Sequence, residues 1–400
     1  MTISDTLRAD FPMLDREIDG MPLVYLDNAA TTLKPHAVIA AVTRYYTEIG
    51  ANIHRGKHIL SDEASDGYEA ARSRVAAFVG ARSGEVVFTA GTTMGLNLVA
   101  AGLDLAPGAL AVVSPDAHHS LLLPLRERCR VEWLPSTSSG TVDLAGYAAL
   151  LERRPAVVAL THCSNVTGRY TPVAELAAMA HEHGALVVVD AAQSVPHRRL
   201  RMAELGADAV AFSAHKMLGP TGIGVLVLGP AMVDRLRPAI TGGGTVDWVD
   251  RTSSVPRRAP YRFEAGTPHI AGAFGLLAAV DYLDLLGPAA VAAHDALLAD
   301  VLATEVAKRD YLTEVAAGPA DRSAIISFAV RGAPDLTELA RALSDSYGVM
   351  CRSGHLCAQP FVDAAAGGQV LRMSAYLYNT ADEIRAAFAA LDELHPVLVG

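Results

Sequence analysis

The stretch ALVVVDAAQ, residues 185–193, decides the fold class, because an apolar run ends there in a single acid, Asp190. A strand without polar alternation is buried on both faces, as in parallel sheets that helices cover on both sides. Similar apolar segments alternate with helical patterns around it: EVVFTAG (85–91), ALAVVSP (109–115), AVVALTHCSN (156–165), ADAVAFSAHK (207–216) and GIGVLVLG (222–229). The alternation predicts an α/β protein with a mostly parallel sheet.

Polar residues stand where these predicted strands end. In open α/β sheets, ligands bind in the crevice beyond the carboxyl ends of the strands. The residues at those ends are Thr92, His119, Asn165, Asp190, Gln193, His215 and Lys216. We therefore expect these side chains to converge on one crevice.

The pattern changes from about residue 295, where helical stretches alternate with the strand-like segments SAIISFAV (323–330) and VLRMSAYLYN (370–379). This order predicts a smaller α+β domain. We predict an N-terminal segment (1–20) that packs with the small domain, a large domain (21–294) and a small C-terminal domain (295–400). Four hundred residues are enough for two such domains.

Composition excludes several classes of protein. The chain is 51% hydrophobic and 19% charged, with a net charge of −10 and no basic run, so we expect no nucleic-acid partner. The longest apolar region, about 271–293, contains Asp281, Asp284 and a Gly-Pro pair, which indicates a core helix and no membrane span. The acidic start, MTISDTLRADFPML, is no signal peptide, and four scattered cysteines form no disulfide framework. A cytoplasmic protein with reduced thiols is expected.

Lys216 stands between two predicted strands, in a segment with little other charge. Because a buried lysine is costly unless it is used, we expect an amine that forms an imine with a carbonyl cofactor, pyridoxal 5'-phosphate (PLP). Asp190 is placed to keep the pyridine ring protonated. The strand-to-helix turn at Thr92 and Thr93 offers a phosphate cradle, to which Ser213 and His215 add donors. The flat ring of His119 can pack on the cofactor.

The segment CRSGHLCAQP, residues 351–360, holds two of the four cysteines. A disulfide, a metal clip, core packing and sulfur chemistry are the alternatives for it. Only Cys351, His355 and Cys357 cluster there, and structural zinc takes four ligands, so we predict no metal site. Cys351 is expected to pack as a small apolar residue at a strand end, and Cys357 to lie on a loop that reaches the crevice.

The chain resembles the class V aminotransferase-like, fold-type I PLP enzymes, and among them the SufS-type cysteine desulfurases and selenocysteine lyases. The motifs that carry the likeness run nearly end to end: RADFPMLDREIDGMPLVYLDNAATT, ANIHRGKHILS, VVFTAGTTMGLNLVA, THCSNVTG, DAAQS, SAHKMLGPTGIG, RFEAGTPH, RSGHLCAQP and LRMSAYLYNT. The resemblance implies a large domain with a mostly parallel seven-stranded sheet and a smaller α+β domain with the cysteine loop.

The resemblance also implies roles for single residues. Lys216 holds the cofactor, Asp190 pairs with its ring nitrogen and Gln193 with its ring hydroxyl, and His119 stacks on the ring and moves protons. The phosphate contacts are Thr92, Thr93, Ser213, His215 and, from the other subunit of a homodimer, Thr267. The substrate pocket takes Asn28, Ala29, Ala30, Asn165, Arg352 and Arg372. Cys357 takes the substrate sulfur as a persulfide, with Arg352 and His355 favouring its thiolate, and passes it to a small acceptor protein for iron–sulfur cluster or other sulfur biosynthesis.

The sequence departs from the family pattern at several positions. Ala117 stands where Glu is usual, Leu356 where a second His is common, and His269 in place of Asn. These departures leave open a specialised relative: a PLP-dependent lyase, a selenocysteine lyase or an epimerase in a dedicated pathway. A scaffold without catalysis is disfavoured, since Lys216, Asp190 and Cys357 are all present.

Overall fold

The computed structural model describes residues 6–137, 140–318, 320–333 and 335–399. Its strands are β1 (Glu17–Ile18), β2 (Met21–Pro22), β3 (Val24–Tyr25), β4 (Val86–Thr89), β5 (Leu110–Val113), β6 (Arg130–Trp133), β7 (Val157–Thr161), β8 (Leu186–Asp190), β9 (Ala209–Ser213), β10 (Gly224–Leu228), β11 (Val246–Val249), β12 (Ser254–Pro256), β13 (Leu312–Glu314), β14 (Ile325–Val330), β15 (Val349–Met350), β16 (Arg352–Gly354) and β17 (Val370–Ser374). Its α-helices are α1 (His36–Arg44), α2 (Ile59–Val79), α3 (Thr92–Gly102), α4 (His119–Arg126), α5 (Leu144–Leu151), α6 (Val173–Glu182), α7 (Met202–Leu205), α8 (Pro230–Arg235), α9 (Ile270–Leu286), α10 (Pro288–Ala307), α11 (Leu336–Tyr347), α12 (Gln359–Ala366) and α13 (Ala381–Val399).

The predicted seven-stranded, mostly parallel sheet is confirmed. Its strand order is β4-β10-β9-β8-β7-β5-β6, and β10 alone runs antiparallel to its two neighbours. In the β7–β8 register, Thr161 lies opposite Asp190. The carboxyl ends of these strands therefore finish level with one another at one edge of the sheet.

Both faces of the sheet are buried, which explains why its strands show no polar alternation. In β8, Val187 and Val189 pack into one hydrophobic cluster, while Leu186 and Val188 pack into a second cluster on the opposite face. All five residues of β8 are buried. Burial of apolar side chains therefore stabilises β8 on both faces of the sheet, as in parallel sheets that helices cover on both sides.

The turn that joins β4 to α3 depends on two glycines. Gly91 has φ +153°, a backbone conformation that favours glycine. A Cβ on Gly224, at the start of β10, would lie 2.5 Å from the Cα of Gly91. The two backbones can approach each other only without side chains, and this contact sets the N-terminus of α3 beside the end of β9.

The smaller unit is built on the antiparallel sheet β13-β14-β17-β16. Its core draws on α10, α11 and α13, through residues such as Leu298, Leu343 and Phe388. Helix α11 begins where the Asp335 carboxylate accepts a hydrogen bond from the Thr337 N–H at 2.7 Å, and it ends at Gly348, which has φ +67°.

The N-terminal segment contacts both units. Arg8 forms an ion pair with Glu383 of α13 at 2.5 Å, whereas Phe11 packs in the core of the large unit. Strand β3 pairs in parallel with β15 of the small unit. The predicted boundary at 294/295 falls inside α10, and the predicted division into three segments stays a prediction.

The apolar region of about 271–293, predicted as a core helix, is divided between two helices. The chain breaks at Gly287, because Pro288 cannot continue the hydrogen bonding of a helix, and α9 and α10 meet at a bend of 82°. Among the described residues, no individual helix has the length and apolar character needed to cross a membrane, although this bent pair taken together meets those two criteria.

Candidate active site

The strand ends of the large sheet and the cysteine segment of the small unit surround one cavity. Most of the predicted site residues line it: Ala29, Ala30, Thr92, Thr93, Asn165, Asp190, Gln193, Ser213, His215, Lys216, Arg352, Cys357 and Arg372. Of the seven strand-end residues predicted to converge on one crevice, all except His119 line this cavity. His119, Asn28 and Thr267 are not among the residues that line it.

Asp190 ends β8 at the floor of the cavity. One of its carboxylate oxygens, Oδ1, accepts a hydrogen bond from the Ala192 N–H at 2.9 Å. Burial raises the pKa of this carboxyl above its ordinary value, while the Ala192 hydrogen bond and the charge of Lys216 act in the opposite direction. Beside it, the Gln193 amide donates to the carbonyl of Ala29 at 2.7 Å, which ties the N-terminal segment to the site.

Lys216 lies in the short turn after β9. Burial lowers the pKa of its amine to about 8, against the opposing effect of Asp190. Within the described residues its ammonium has no hydrogen-bond partner. The peptide bond before it is fixed, because the carbonyl of His215 accepts from Lys34 Nζ and from the Thr31 hydroxyl, each at 3.0 Å. A held backbone thus presents an unpaired amine to the cavity.

The N-terminus of α3 lies at one end of the cavity, and we expect this end to be the anion-binding end. The Thr92 N–H donates to the Ser213 hydroxyl oxygen at 2.8 Å, and the two hydroxyl oxygens lie 2.7 Å apart. Thr93 follows in the first turn and also lines the cavity. Free N–H groups and the helix dipole favour a phosphate at such a terminus.

His118, and not its neighbour His119, lines the cavity together with His215. The ring of His118 lines the cavity, whereas His119 contributes its backbone N–H to the carbonyl of Cys357 at 2.9 Å. Burial lowers the pKa of His118 to about 4, and the charge of Lys216 adds to the effect. The sequence DAHHS does not distinguish the two adjacent histidines. Helix α4 begins at His119, and this start determines that the ring of His118 faces the cavity.

Two arginines bring positive charge to the other wall. The buried Arg372 pairs with Asp27 at 2.9 Å and donates to the carbonyl of Asn165 at 3.1 Å. Its Nε is buried and has no hydrogen-bond partner among the described residues. Arg352, on the neighbouring strand, pairs with the other oxygen of Asp27 at 2.8 Å. A guanidinium whose Nε has no partner, beside a polar cavity, is suited to a carboxylate.

The cysteine segment is held at the cavity by its backbone. Leu356 and Cys357 have φ values of +54° and +56°, in the left-handed region that side chains rarely adopt. The carbonyl of Leu356 accepts from the Asn165 amide at 2.8 Å, and the Leu356 side chain packs with Val166 and Val362. These contacts hold a strained turn that leaves Cys357 exposed and lining the cavity.

Three further predictions need correction or stay open. Asn28 does not reach the cavity, because its amide is used by the carbonyls of Ser374 (2.7 Å) and Tyr25 (3.1 Å). His355 pairs with Asp363 at 3.1 Å and does not line the cavity, and its effect on the Cys357 thiolate stays a prediction. Thr267 lines a second cavity, so its role toward another subunit stays a prediction.

The two cysteines of the segment differ as expected. Cys351 follows β15 and packs against the core of the small unit, which confirms its predicted role. Burial raises the pKa of its thiol to about 12. In the described part of the chain, no group of three or more His, Cys, Asp or Glu residues is arranged to hold a metal ion.

Sequence reasoning missed several residues of the cavity: His118, Ser120, Thr161, Cys163 and Leu356. Thr161 ends β7 opposite Asp190, and its buried hydroxyl has no partner among the described residues. Its position at a strand end was a usable signal. Ser120 offered none, because a serine in the first turn of a helix is ordinary.

Residues 24–387 match the family model described as Aminotransferase class-V. The chain belongs to the class V aminotransferase family, whose cofactor is PLP. Its relatives define it more narrowly. The chain is 40% identical over 392 residues to a probable cysteine desulfurase of Halalkalibacterium halodurans, covering 96% of each chain. It is 41% identical over 405 residues to a probable cysteine desulfurase of Halobacterium salinarum, covering 98% of this chain and 97% of that one.

Solved structures agree with this assignment. The apo cysteine desulfurase of Thermococcus onnurineus NA1 superposes with a TM-score of 0.92 at 35% identity, covering 100% of this chain and 99% of that chain. The Escherichia coli cysteine desulfurase CsdA, solved in an S-sulfonic acid form, gives a TM-score of 0.88 at 33% identity, with 99% of each chain covered. The fold and the family are thereby established together.

Proposed function

We propose that this protein is a PLP-dependent cysteine desulfurase that converts L-cysteine to L-alanine and leaves the sulfur as a persulfide on Cys357. The observation that carries the proposal is that Cys357 and Lys216 line one cavity although 141 residues separate them. The lysine is the group that a PLP enzyme needs, and the exposed thiol is the group that a desulfurase needs in addition.

The residues present fit PLP. Lys216 would hold the cofactor through its amine, Asp190 would face the ring nitrogen, and Gln193 the ring hydroxyl. The phosphate would lie at the N-terminus of α3, near the side chains of Thr93, Ser213 and His215. The unpartnered hydroxyl of Thr161 beside Asp190 supports this fit, since a buried polar atom without a partner indicates a missing group.

When bound, PLP withdraws electron density from the α-carbon of an amino acid, which makes loss of a proton there feasible. Asp190 maintains the positive charge on the ring that this effect requires. Lys216 can take or return the proton, because a pKa of about 8 leaves a neutral fraction of its amine near neutral pH. The imidazole of His118, at the cavity wall, is a second group that can move protons, beside the Lys216 amine.

The substrate carboxylate would bind the free edge of Arg372, with Arg352 beside it. The thiolate of Cys357 then attacks the substrate sulfur. A bond forms between the two sulfur atoms, and the bond from the substrate sulfur to its carbon breaks. The electron pair of that bond stays with the carbon skeleton, which takes up a proton and leaves as alanine.

A homodimer and a small sulfur-acceptor protein complete the proposal. The second polar cavity, with Thr267, Arg257 and His54, would complete the cofactor site of another copy of the chain. Because Cys357 is exposed, a persulfide on it is open to an acceptor that delivers sulfur to iron–sulfur cluster or other sulfur biosynthesis, in the cytoplasm.

Mass spectrometry of the PLP-loaded protein after L-cysteine tests the proposal. The peptide with Cys357 should gain about 32 Da, one sulfur atom on a thiol, and alanine should accumulate. Sulfur on the peptide with Cys351 instead, or alanine production without any sulfur on Cys357, would overturn it. The second outcome would favour the lyase alternative, in which the substrate sulfur or selenium leaves without a protein thiol.

A further inference from the structure

A short hydrogen-bonded chain connects His118 to the anion-binding end of the cavity. Nδ1 of His118 lies 3.1 Å from the backbone nitrogen of Ser120 and 3.0 Å from its hydroxyl oxygen. The same hydroxyl oxygen lies 2.7 Å from the hydroxyl oxygen of Thr93. Ser120 is buried, so water does not compete strongly for these contacts.

The contacts at Nδ1 favour one tautomer of His118. A backbone N–H can only donate, so Nδ1 must be the acceptor and carry no proton. In the neutral ring the proton is then on Nε2, the nitrogen that remains for the cavity. The neutral ring is the form expected near neutral pH, because burial lowers the pKa of His118 to about 4.

We propose that Ser120 is a positioning residue, which keeps His118 in the tautomer with its proton on Nε2 and ties the ring to Thr93 at the phosphate end. The inference rests on the proposed function, in which His118 moves protons and Thr93 faces the phosphate. The Ser120 hydroxyl then links His118, which moves protons of the substrate, to Thr93, which faces the phosphate, through one hydrogen bond to each.

The rival explanation is that His118 only caps α4. A side chain that accepts from the N–H two residues later is a standard helix cap, and His118 is the cap residue here. A cap alone would require the N–H contact and make the Ser120 hydroxyl dispensable. The hydroxyl, shared between His118 and Thr93, therefore separates the two explanations.

The test combines nitrogen NMR with kinetics on the PLP-loaded protein labelled with ¹⁵N-histidine. His118→Gln assigns the ring signals. In the parent protein we expect an unprotonated Nδ1 and a protonated Nε2 between pH 6 and 8. Ser120→Ala removes the hydroxyl that holds the ring against the Ser120 N–H, so it should shift both signals toward a mixture of tautomers. It should also lower kcat about tenfold, with KM within about twofold, because a positioned proton-transfer group contributes about 10²–10⁴-fold. Ser120→Thr, which keeps the hydroxyl, should restore both.

Asp143→Ala is the matched control, because Asp143 caps α5 through the Gly146 N–H at 3.1 Å and does not line the cavity. It should lower thermal stability while kcat and the His118 signals stay unchanged. A protonated Nδ1 in the parent protein, or a Ser120→Ala protein with unchanged signals and kcat, overturns the inference. Failure of the proposed function would look different, since the parent protein would then make no alanine while its ring signals remained readable.

Discussion

The two halves of the cavity are built in opposite ways. At the cofactor half, Asp190 and Ser213 end buried strands of a sheet whose two faces are packed. At the sulfur half, Cys357 is exposed on a turn in which it and Leu356 both have positive φ. Described hydrogen bonds to that turn include those from the Asn165 amide and the His119 N–H.

The difference separates two requirements of the reaction. The cofactor half must hold charges and hydrogen-bond donors at fixed positions. The ends of strands in a packed core do this, because the surrounding packing already fixes their side chains. The sulfur half must present a thiol first to a substrate and then to an acceptor, and an exposed, lightly held turn allows both. We therefore expect changes at the cofactor half to abolish all chemistry, and changes at the sulfur half to affect sulfur transfer alone.

Lys216→Ala should have the largest effect. It removes both the covalent hold on PLP and a group that moves the α-proton, so we expect loss of the cofactor's absorption and a fall in kcat of at least about 10³-fold, within the range for a positioned proton-transfer group. Absorbance spectroscopy and alanine formation measure the two effects. Lys34→Met is a useful comparison. Lys34 donates to the carbonyl before Lys216, to the Thr32 carbonyl and to the Thr31 hydroxyl, and it does not line the cavity, so the variant should retain the absorption.

Cys357→Ala should separate the halves of the cavity. We expect cysteine desulfuration to fall by at least about 10²-fold, because no other exposed thiol lines the described cavity, while the absorption of bound PLP persists. Alanine formation and the spectrum are the readouts.

Cys351→Ala is the matched control, six residues away in the same segment. Its thiol is packed in the small-unit core, so stability should fall slightly and the desulfuration rate should not change. Equal losses in the two variants would contradict the assignment of the sulfur half to Cys357. Selenocysteine turnover that survives in Cys357→Ala would instead support the lyase alternative.

The same division governs what the sequence could predict. Continuous apolar strands predicted the sheet, and the level ends of parallel strands placed Asp190, Asn165 and Lys216 together. Which of two adjacent histidines faces inward was not predictable, because it depends on one helical start at His119. The inaccessibility of Asn28 depends on partners such as Ser374, which lies more than 300 residues away along the chain.

Asn165→Ala should weaken the sulfur half without dismantling it. The hydrogen bond from its amide holds the carbonyl of Leu356, and losing it leaves that carbonyl unsatisfied at a cost of about 1–3 kcal/mol. We expect faster amide exchange in residues 352–358 and a roughly tenfold slower persulfide step. Hydrogen–deuterium exchange and rapid-quench mass spectrometry measure these.

Asn165→Asp sharpens that test, because the carboxylate is isosteric and cannot donate. It should loosen the segment at least as much as Asn165→Ala, since it places negative charge against the Leu356 carbonyl. Exchange rates in 352–358 that stay at the parent level in both variants would show that packing of Leu356 with Val166 and Val362, and not the hydrogen bond, holds the turn.

The smallest effect is expected in the pH dependence of stability, and it reports on the cofactor half. Burial lowers the pKa of His118 to about 4, from 6.5. Between these values the unfolded chain binds a proton that the folded chain does not, so the free energy of unfolding decreases as pH falls from about 6.5 to about 4. For a ring that stays partly hydrated we expect about 1–2 kcal/mol from this group.

Urea unfolding of the cofactor-free protein at pH 7 and pH 5, with His118→Gln as comparison, isolates this contribution. The variant should lose less stability on acidification than the parent, because glutamine binds no proton in either state. His119→Gln should behave like the parent, since the ring of His119 does not line the described cavity and makes none of the described hydrogen bonds. If instead His119→Gln flattened the pH dependence and His118→Gln did not, the ring that faces the cavity would be that of His119. The contacts assigned to His118 at the cofactor half would then be wrong.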